Sequence, residues 1–267
     1  MKSRIIWCTG AAGTGKTVLN NKLQEHFEQL GYQVVRLESV SRSICEKMGI
    51  ASPKQLTEEN YFDFQRAVLE KQISFDMEAF KDILQNDDGG KIYLSDRCAT
   101  CYTGFAAVYG PKFGDINMRN YLAYQTSMMM DWADLTMSLM SLNSATILFV
   151  EPHGGEIERD GVRPDNVVDQ QIVSTTIRCT LLNAFIDNRA LDSLLFATSV
   201  NEFATMMRAD SKTAFDKYPD MLHKIFSELK TAVSQTCASN IANVGRGTVE
   251  QRVKQVIDYI NNLDNQK

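Results

Sequence analysis

Apolar and polar positions along the chain follow two periods, and the switches between them mark out the elements. Ile5-Ile6-Trp7-Cys8 is a short apolar run that predicts a buried strand. Four further β-rich runs follow: Gln33-Val-Val-Arg-Leu37, Ile92-Tyr-Leu-Ser95, Ala145-Thr-Ile-Leu-Phe-Val150 and Asn240-Ile-Ala-Asn-Val244. Helical spacing fills the intervals. Thr17 to Leu30 stops at Gly31, and Ser39 to Met48 closes at Gly49. Ser52-Pro53 and Thr57 offer two starts for a helical pattern carrying Phe64, Val68, Phe75 and Phe80 to about Gln85, either one long helix or a broken pair. Met118 to Leu142 and Val249 to Ile260 are further helical stretches, and Asp87-Asp88-Gly89-Gly90 is a turn.

Strands separated by helices predict an α/β fold, a doubly wound five-stranded parallel sheet. Residues 166–238 carry helix-like apolar stripes such as Ile172, Ile177, Leu181 and, later, Leu222, Ile225 and Phe226. That is more than one strand-to-helix connection needs. The expected organisation is a core of residues 1–165 and 239–267 with an inserted helical subdomain over 166–238.

The most specific chemistry lies directly after the first strand. Gly10-Ala11-Ala12-Gly13-Thr14-Gly15-Lys16-Thr17 satisfies the phosphate-loop pattern G-x-x-x-x-G-K-[ST] at every fixed position. Its glycines allow the backbone N–H groups to form a concave donor surface for phosphate oxygens. Lys16 reaches the β- and γ-phosphates and the Thr17 hydroxyl ligates Mg²⁺ in such a loop, with the following helix offering its N-terminus. Strand before and helix after are the context that this pattern requires.

Other candidates fall where strands end. Glu38 follows the second strand and Asp96-Arg97 the third, at the sheet edge where ligands of parallel sheets bind. Asp96 suits a metal-holding or proton-accepting role, Arg97 and Arg42 suit contact with an anionic or hydroxyl-bearing substrate, and Glu38 is a further carboxylate for that substrate. After the fourth strand, Glu156 to Asp165 is polar and aperiodic, and its Arg163 and Arg159 suit a lid that closes on a transferring phosphoryl group. His153, in the preceding turn, reads as a surface residue, and the methionines among residues 128–140 read as core filling.

Composition narrows the partners. The chain has 267 residues, 44% apolar and 23% charged, with a net charge of −5. An acidic balance disfavours affinity built on coating a nucleic-acid backbone, so DNA is left open without being favoured. No apolar run approaches about 18 residues and no signal peptide is evident, so the expectation is a soluble cytoplasmic protein without a membrane role. A homodimer is left open. The six cysteines read as reduced thiols packed in the fold. Cys98-x-x-Cys101 alone has the spacing of a redox or metal pair, with no second pair to complete a zinc site.

Taken together, several pieces resemble the P-loop kinase family that includes the nicotinamide-riboside kinase domain. They are the loop Gly10 to Thr17, Leu37-Glu38-Ser-Val-Ser-Arg42, Phe64-Gln65-Arg66-Ala67, Asp96-Arg97 with Tyr102 and Tyr109-Gly110 after it, and Asp160-Gly161-Val162-Arg163. The resemblance implies strand order 2-3-1-4-5 for the sheet and ATP and Mg²⁺ as cosubstrates, with Lys16, Thr17, Asp96, Arg97 and Arg163 in the roles given above. Deoxynucleoside kinases are similar in having a carboxylate after strand two near the substrate hydroxyl, which makes Glu38 a general-base candidate beside Asp96. Residues 166–238 depart from the family in being longer than its usual connection.

The function expected from these readings is transfer of the γ-phosphoryl group of ATP to a hydroxyl of a nucleoside- or nucleotide-like small molecule. One variant is a kinase of hydroxymethylated pyrimidines in DNA, against which the charge counts. A different class is a nucleotide-dependent regulatory or binding ATPase. The guanine-reading motif Asn-Lys-x-Asp does not occur, which argues against an ordinary GTPase switch.

Overall fold

A computed structural model of the chain describes residues 2–37, 39–85, 89–109, 116–151, 170, 172–177 and 240–265. Its sheet has five strands in the order β2-β3-β1-β4-β5 with every neighbouring pair parallel. The strands are β1 (Arg4–Thr9), β2 (Gln33–Leu37), β3 (Lys91–Ser95), β4 (Ala145–Val150) and β5 (Ile241–Val244). The doubly wound sheet expected from the sequence is therefore present with the expected order.

Apolar character explains the arrangement. All residues of β1 and β4 are buried, as the inner strands of a sheet covered on both faces must be. The edge strands β2 and β5 are more polar and more exposed. Register sets Trp7 opposite Ser95 and Ile147, so the strands end along one edge, where Gly10, Asp96 and Glu151 leave the sheet.

Alternation along the strands divides the core in two. Ile5 and Trp7 of β1 point to the face covered by α2 (Val40–Lys47), α3 (Glu58–Gln85), α4 (Ala99–Tyr109) and α5 (Ile116–Ser141). Ile6 and Cys8 point to the other face, covered by α1 (Lys16–Gln29) and the closing helix α6 (Val249–Asn265). The pattern over residues 58–85, which left a broken pair open, forms one helix of 28 residues; it contains neither glycine nor proline. Ser52 accepts a hydrogen bond from Lys54 N at 3.2 Å, but the turn it caps, Pro53–Gln55, is a separate single 3-10 turn. Met140 is fully buried, and Met128, Met129 and Met137 pack against the same core, as filling.

Two contacts fasten the closing helix and residues 172–177. Arg4, 1% exposed, donates from Nη2 to both carboxylate oxygens of Asp264 at 2.6 and 2.7 Å, which fixes the end of α6 under the start of β1. Ile172, Val173 and Ile177 lie in the core of the first face, and Gly104 of α4 makes room for Ile177: a Cβ there would stand 3.0 Å from Ile177 Cγ1. Residues 178–238, most of the predicted insertion 166–238, lie outside the described residues. Among the described residues no helix is long and apolar enough to cross a membrane.

Candidate functional site

The loop after β1 owes its path to backbone freedom at its glycines. Gly10 has φ 135°, a conformation L side chains rarely adopt, and a Cβ there would meet the carbonyl oxygen of Val150 at 2.6 Å. Gly13 and Gly15 are also left-handed, at φ 77° and 81°. Helix α1 begins directly after Gly15, with no side chain capping it and no acidic residue in its first turn. Its leading N–H groups therefore have no side-chain acceptor, which suits a bound anion.

Inside the loop the side chains converge. Lys16, 5% exposed, donates from Nζ to the carbonyl of Ala11 and to Thr14 Oγ1, the latter at 3.2 Å, while Thr14 Oγ1 donates to the same Ala11 carbonyl at 3.1 Å. Burial and, after it, the Arg97 guanidinium push the Lys16 ammonium down to about 7, against the opposing pull of Asp96. Thr17 is exposed on the first turn of α1. Gly10, Ala11, Ala12, Gly13, Thr14, Gly15, Lys16 and Thr17 thus form one contiguous loop and helix start, as their pattern predicts.

Asp96 and Arg97 stand on the neighbouring strand end. Asp96 N donates to Leu37 O at 3.2 Å, carrying the β2–β3 pairing one residue past the strands. Its Oδ1 is buried without a hydrogen-bond partner among the described residues, a costly state for a carboxylate oxygen and the one a hydrated cation would relieve. Arg97 donates from Nη1 to Gly10 O at 2.9 Å, and its guanidinium lies 4.5 Å from the Phe105 ring centre. Arg97 thus also braces the phosphate loop. Arg42 is exposed on α2. Glu38, His153, Arg159 and Arg163 lie outside the described residues.

Beneath these strand ends runs a buried polar chain. Asp76 of α3, fully buried, accepts from Trp7 Nε1 at 2.9 Å, Trp132 Nε1 at 2.7 Å and Gln72 Nε2 at 3.0 Å. Burial raises its carboxyl to about 7 despite those three donors. Gln72 Nε2 also reaches Ser95 Oγ at 3.1 Å, and Ser95 Oγ donates to Arg97 O at 2.7 Å. The chain ties the middle of α3 to the backbone of Arg97.

Cys98 and Cys101 open α4, both fully buried, with sulfurs 3.6 Å apart. Cys101 Sγ meets Thr9 Oγ1, one residue before the phosphate loop. Burial opposes ionisation of Cys101, but the hydrogen bond with Cys98, the Arg97 guanidinium and Thr9 outweigh it and hold the thiol near 6.

Three contributors carried no motif. Arg252 of α6, 4% exposed, donates from Nη1 to Thr14 O at 2.7 Å and from Nη2 to Glu151 O at 3.1 Å. Gln170 donates from Nε2 to Ala12 O at 2.9 Å. Arg252 falls on the core-facing stripe that continues through Val256 and Ile260, and Asp76 between Ile73 and Phe80 on the buried stripe of α3. A charge on an apolar stripe was the readable signal for both; Gln170 offers none.

A parallel sheet with a phosphate loop after its central strand and an aspartate ending the strand beside it defines a nucleotide-binding protein of the P-loop NTPase class. The family described as an AAA domain matches residues 5–187, well over half of the chain, and the chain belongs to that family. No curated protein matches it.

Proposed function

We propose that the protein is an ATP-dependent phosphotransferase that moves the γ-phosphoryl group to a hydroxyl of a nucleoside- or nucleotide-like substrate. The observation that carries this reading is the buried Lys16 beside Asp96, whose Oδ1 is buried and unpartnered at the sheet edge. A site with one cation for phosphate and one carboxylate with an unused acceptor matches Mg-ATP. Thr17 and Asp96 would hold Mg²⁺, which when bound neutralises charge on the β- and γ-phosphate oxygens.

The chain's own groups supply the rest. The amides of Ala11 to Lys16 cradle the phosphates, and Lys16 exchanges its bonds to Ala11 O and Thr14 Oγ1 for phosphate oxygens. Arg97 and Arg42 hold the acceptor, Glu38 or Asp96 orients its hydroxyl and takes its proton, and Arg163 with Arg159 closes over the transferring group. A second reading, a nucleotide-dependent regulatory ATPase, is favoured by the AAA description of the family.

The deciding experiment is ADP release from Mg-ATP across a panel of nucleosides, nucleotides and hydroxymethyluracil-containing DNA, wild type beside Lys16→Ala. A Lys16-dependent turnover with one acceptor class supports the phosphotransferase. Acceptor-independent hydrolysis, or tight binding without turnover, supports the regulatory reading instead.

A further inference from the structure

We propose that Cys98 and Cys101 are a modification site: a dithiol that closes to a disulfide under a small hydroperoxide and in doing so withdraws the phosphate loop from its nucleotide-ready shape. The pair sits at the opening of α4, and Cys101 N donates to Cys98 O at 3.0 Å, so the turn brings the two side chains onto one side of the helix start. Their sulfurs are already 3.6 Å apart; a disulfide needs about 2.05 Å. The remaining approach is within reach of side-chain rotation and a small shift of the turn. Among the described residues no group of three or more His, Cys, Asp or Glu side chains could hold a metal ion.

The chemistry balances with a hydroperoxide as oxidant. Cys101 attacks one peroxide oxygen as thiolate; an S–O bond forms, the O–O bond breaks, and hydroxide leaves and takes up the proton that Cys101 released. Cys98 then gives up its proton and attacks the Cys101 sulfur; the S–S bond forms, the S–O bond breaks, and the second oxygen leaves as water. Two thiols lose two electrons and one hydrogen peroxide becomes two waters. Both sulfurs are fully buried, which selects a small oxidant over a bulky disulfide.

What makes the pair more than a spacing is its position between the two halves of the site. Cys101 touches Thr9, which precedes Gly10, and Cys98 follows Arg97, whose guanidinium holds the Gly10 carbonyl. Drawing the sulfurs together breaks the Cys101–Thr9 contact and turns the backbone that carries Arg97. Both movements act on Gly10, where a Cβ would already stand 2.6 Å from Val150 O. The effect on nucleotide rests on the nucleotide reading above; the disulfide does not.

The test uses the full chain, reduced and then treated with hydrogen peroxide. Trypsin releases one peptide from Cys98 to Lys112, which contains both sulfurs, and its mass reports the loss of two hydrogens independently of any nucleotide. We expect that loss, its reversal by dithiothreitol, and a fall in ATP affinity on the order of tenfold, as the loss of a hydrogen bond to a charged phosphate would give. Cys98→Ser should keep the affinity of the reduced wild type and form no disulfide, its peptide gaining oxygen at Cys101 in place of losing two hydrogens, with Cys98→Ala as a second variant and circular dichroism as the check on folding. A peptide that stays reduced while other cysteines oxidise, or that gains oxygen as sulfinic acid, overturns the site. A disulfide that forms with ATP affinity unchanged in a protein that binds ATP overturns the coupling. A disulfide in a protein that binds no nucleotide in either state overturns the nucleotide reading, and the withdrawal of the loop with it, but leaves the modification site standing.

Discussion

Arg252 donates to the carbonyl oxygen of Thr14 at 2.7 Å across 238 positions of sequence, so the last helix of the fold holds the first loop. The same guanidinium reaches Glu151 O, the residue where β4 leaves the sheet. Arg252→Ala should lower ATP affinity about tenfold, equivalent to about 1.4 kcal/mol, by releasing both carbonyls. Arg252→Lys should recover part of it. Calorimetric titration of ATP into each variant checks this, and an Ala variant that binds like wild type would show that the loop keeps its shape unaided.

Gly10 leaves no room for a side chain, because a Cβ would press on Val150 O at 2.6 Å and φ is 135°. Gly10→Ala should push the loop off the end of β4 and abolish measurable ATP binding, while far-ultraviolet circular dichroism stays that of the wild type. Gly49→Ala is the control: its φ of 68° lies in the left-handed region that L residues enter at modest cost, a Cβ there would meet nothing within 4 Å, and from the end of α2 it should leave binding intact.

The lowered Lys16 ammonium makes binding depend on pH. In the free protein it loses its proton near 7, whereas a phosphate beside it favours the charged form, so above that point ATP must bring a proton with it. ATP affinity should fall as pH rises from about 7 towards 9, with a slope approaching tenfold per unit. Dissociation constants measured over that range, with the proton uptake from titrations in two buffers, test the assignment. A flat profile would mean that free Lys16 keeps its charge.

Asp76 makes folding stability depend on pH in the opposite sense to an ordinary paired carboxylate. Its folded value is raised from 3.8 to about 7, so between those limits the folded state holds a proton that the unfolded state has released. Stability should therefore decline as pH rises through that window and level off above it. Urea midpoints followed by circular dichroism should show this decline in the wild type and a shallower one in Asp76→Asn. Parallel profiles for the two proteins would remove Asp76 as the cause.

Most of the fold was legible because it rests on burial, which periodicity reports. The runs Gln33–Leu37 and Ala145–Val150 are strands with those limits, and Gly31 and Gly49 end their helices at positive φ. The phosphate loop was legible because its spacing is a backbone requirement. The contacts of Arg252, Gln170 and Asp76 were not, since periodicity says that a position is buried but not which carbonyl or indole meets it. Arg97 was legible as a charged residue at a strand end, but its bond to Gly10 O was not, since no local pattern says which backbone carbonyl a guanidinium meets.

Trp7 and Trp132 are the chain's two tryptophans, their rings 5.8 Å apart and both bonded to Asp76. The protein's entire indole fluorescence therefore arises from one spot, on the central strand three residues before Gly10 and joined through Gln72 and Ser95 to the backbone of Arg97. The molecule carries its own optical probe of the phosphate loop, with no label attached.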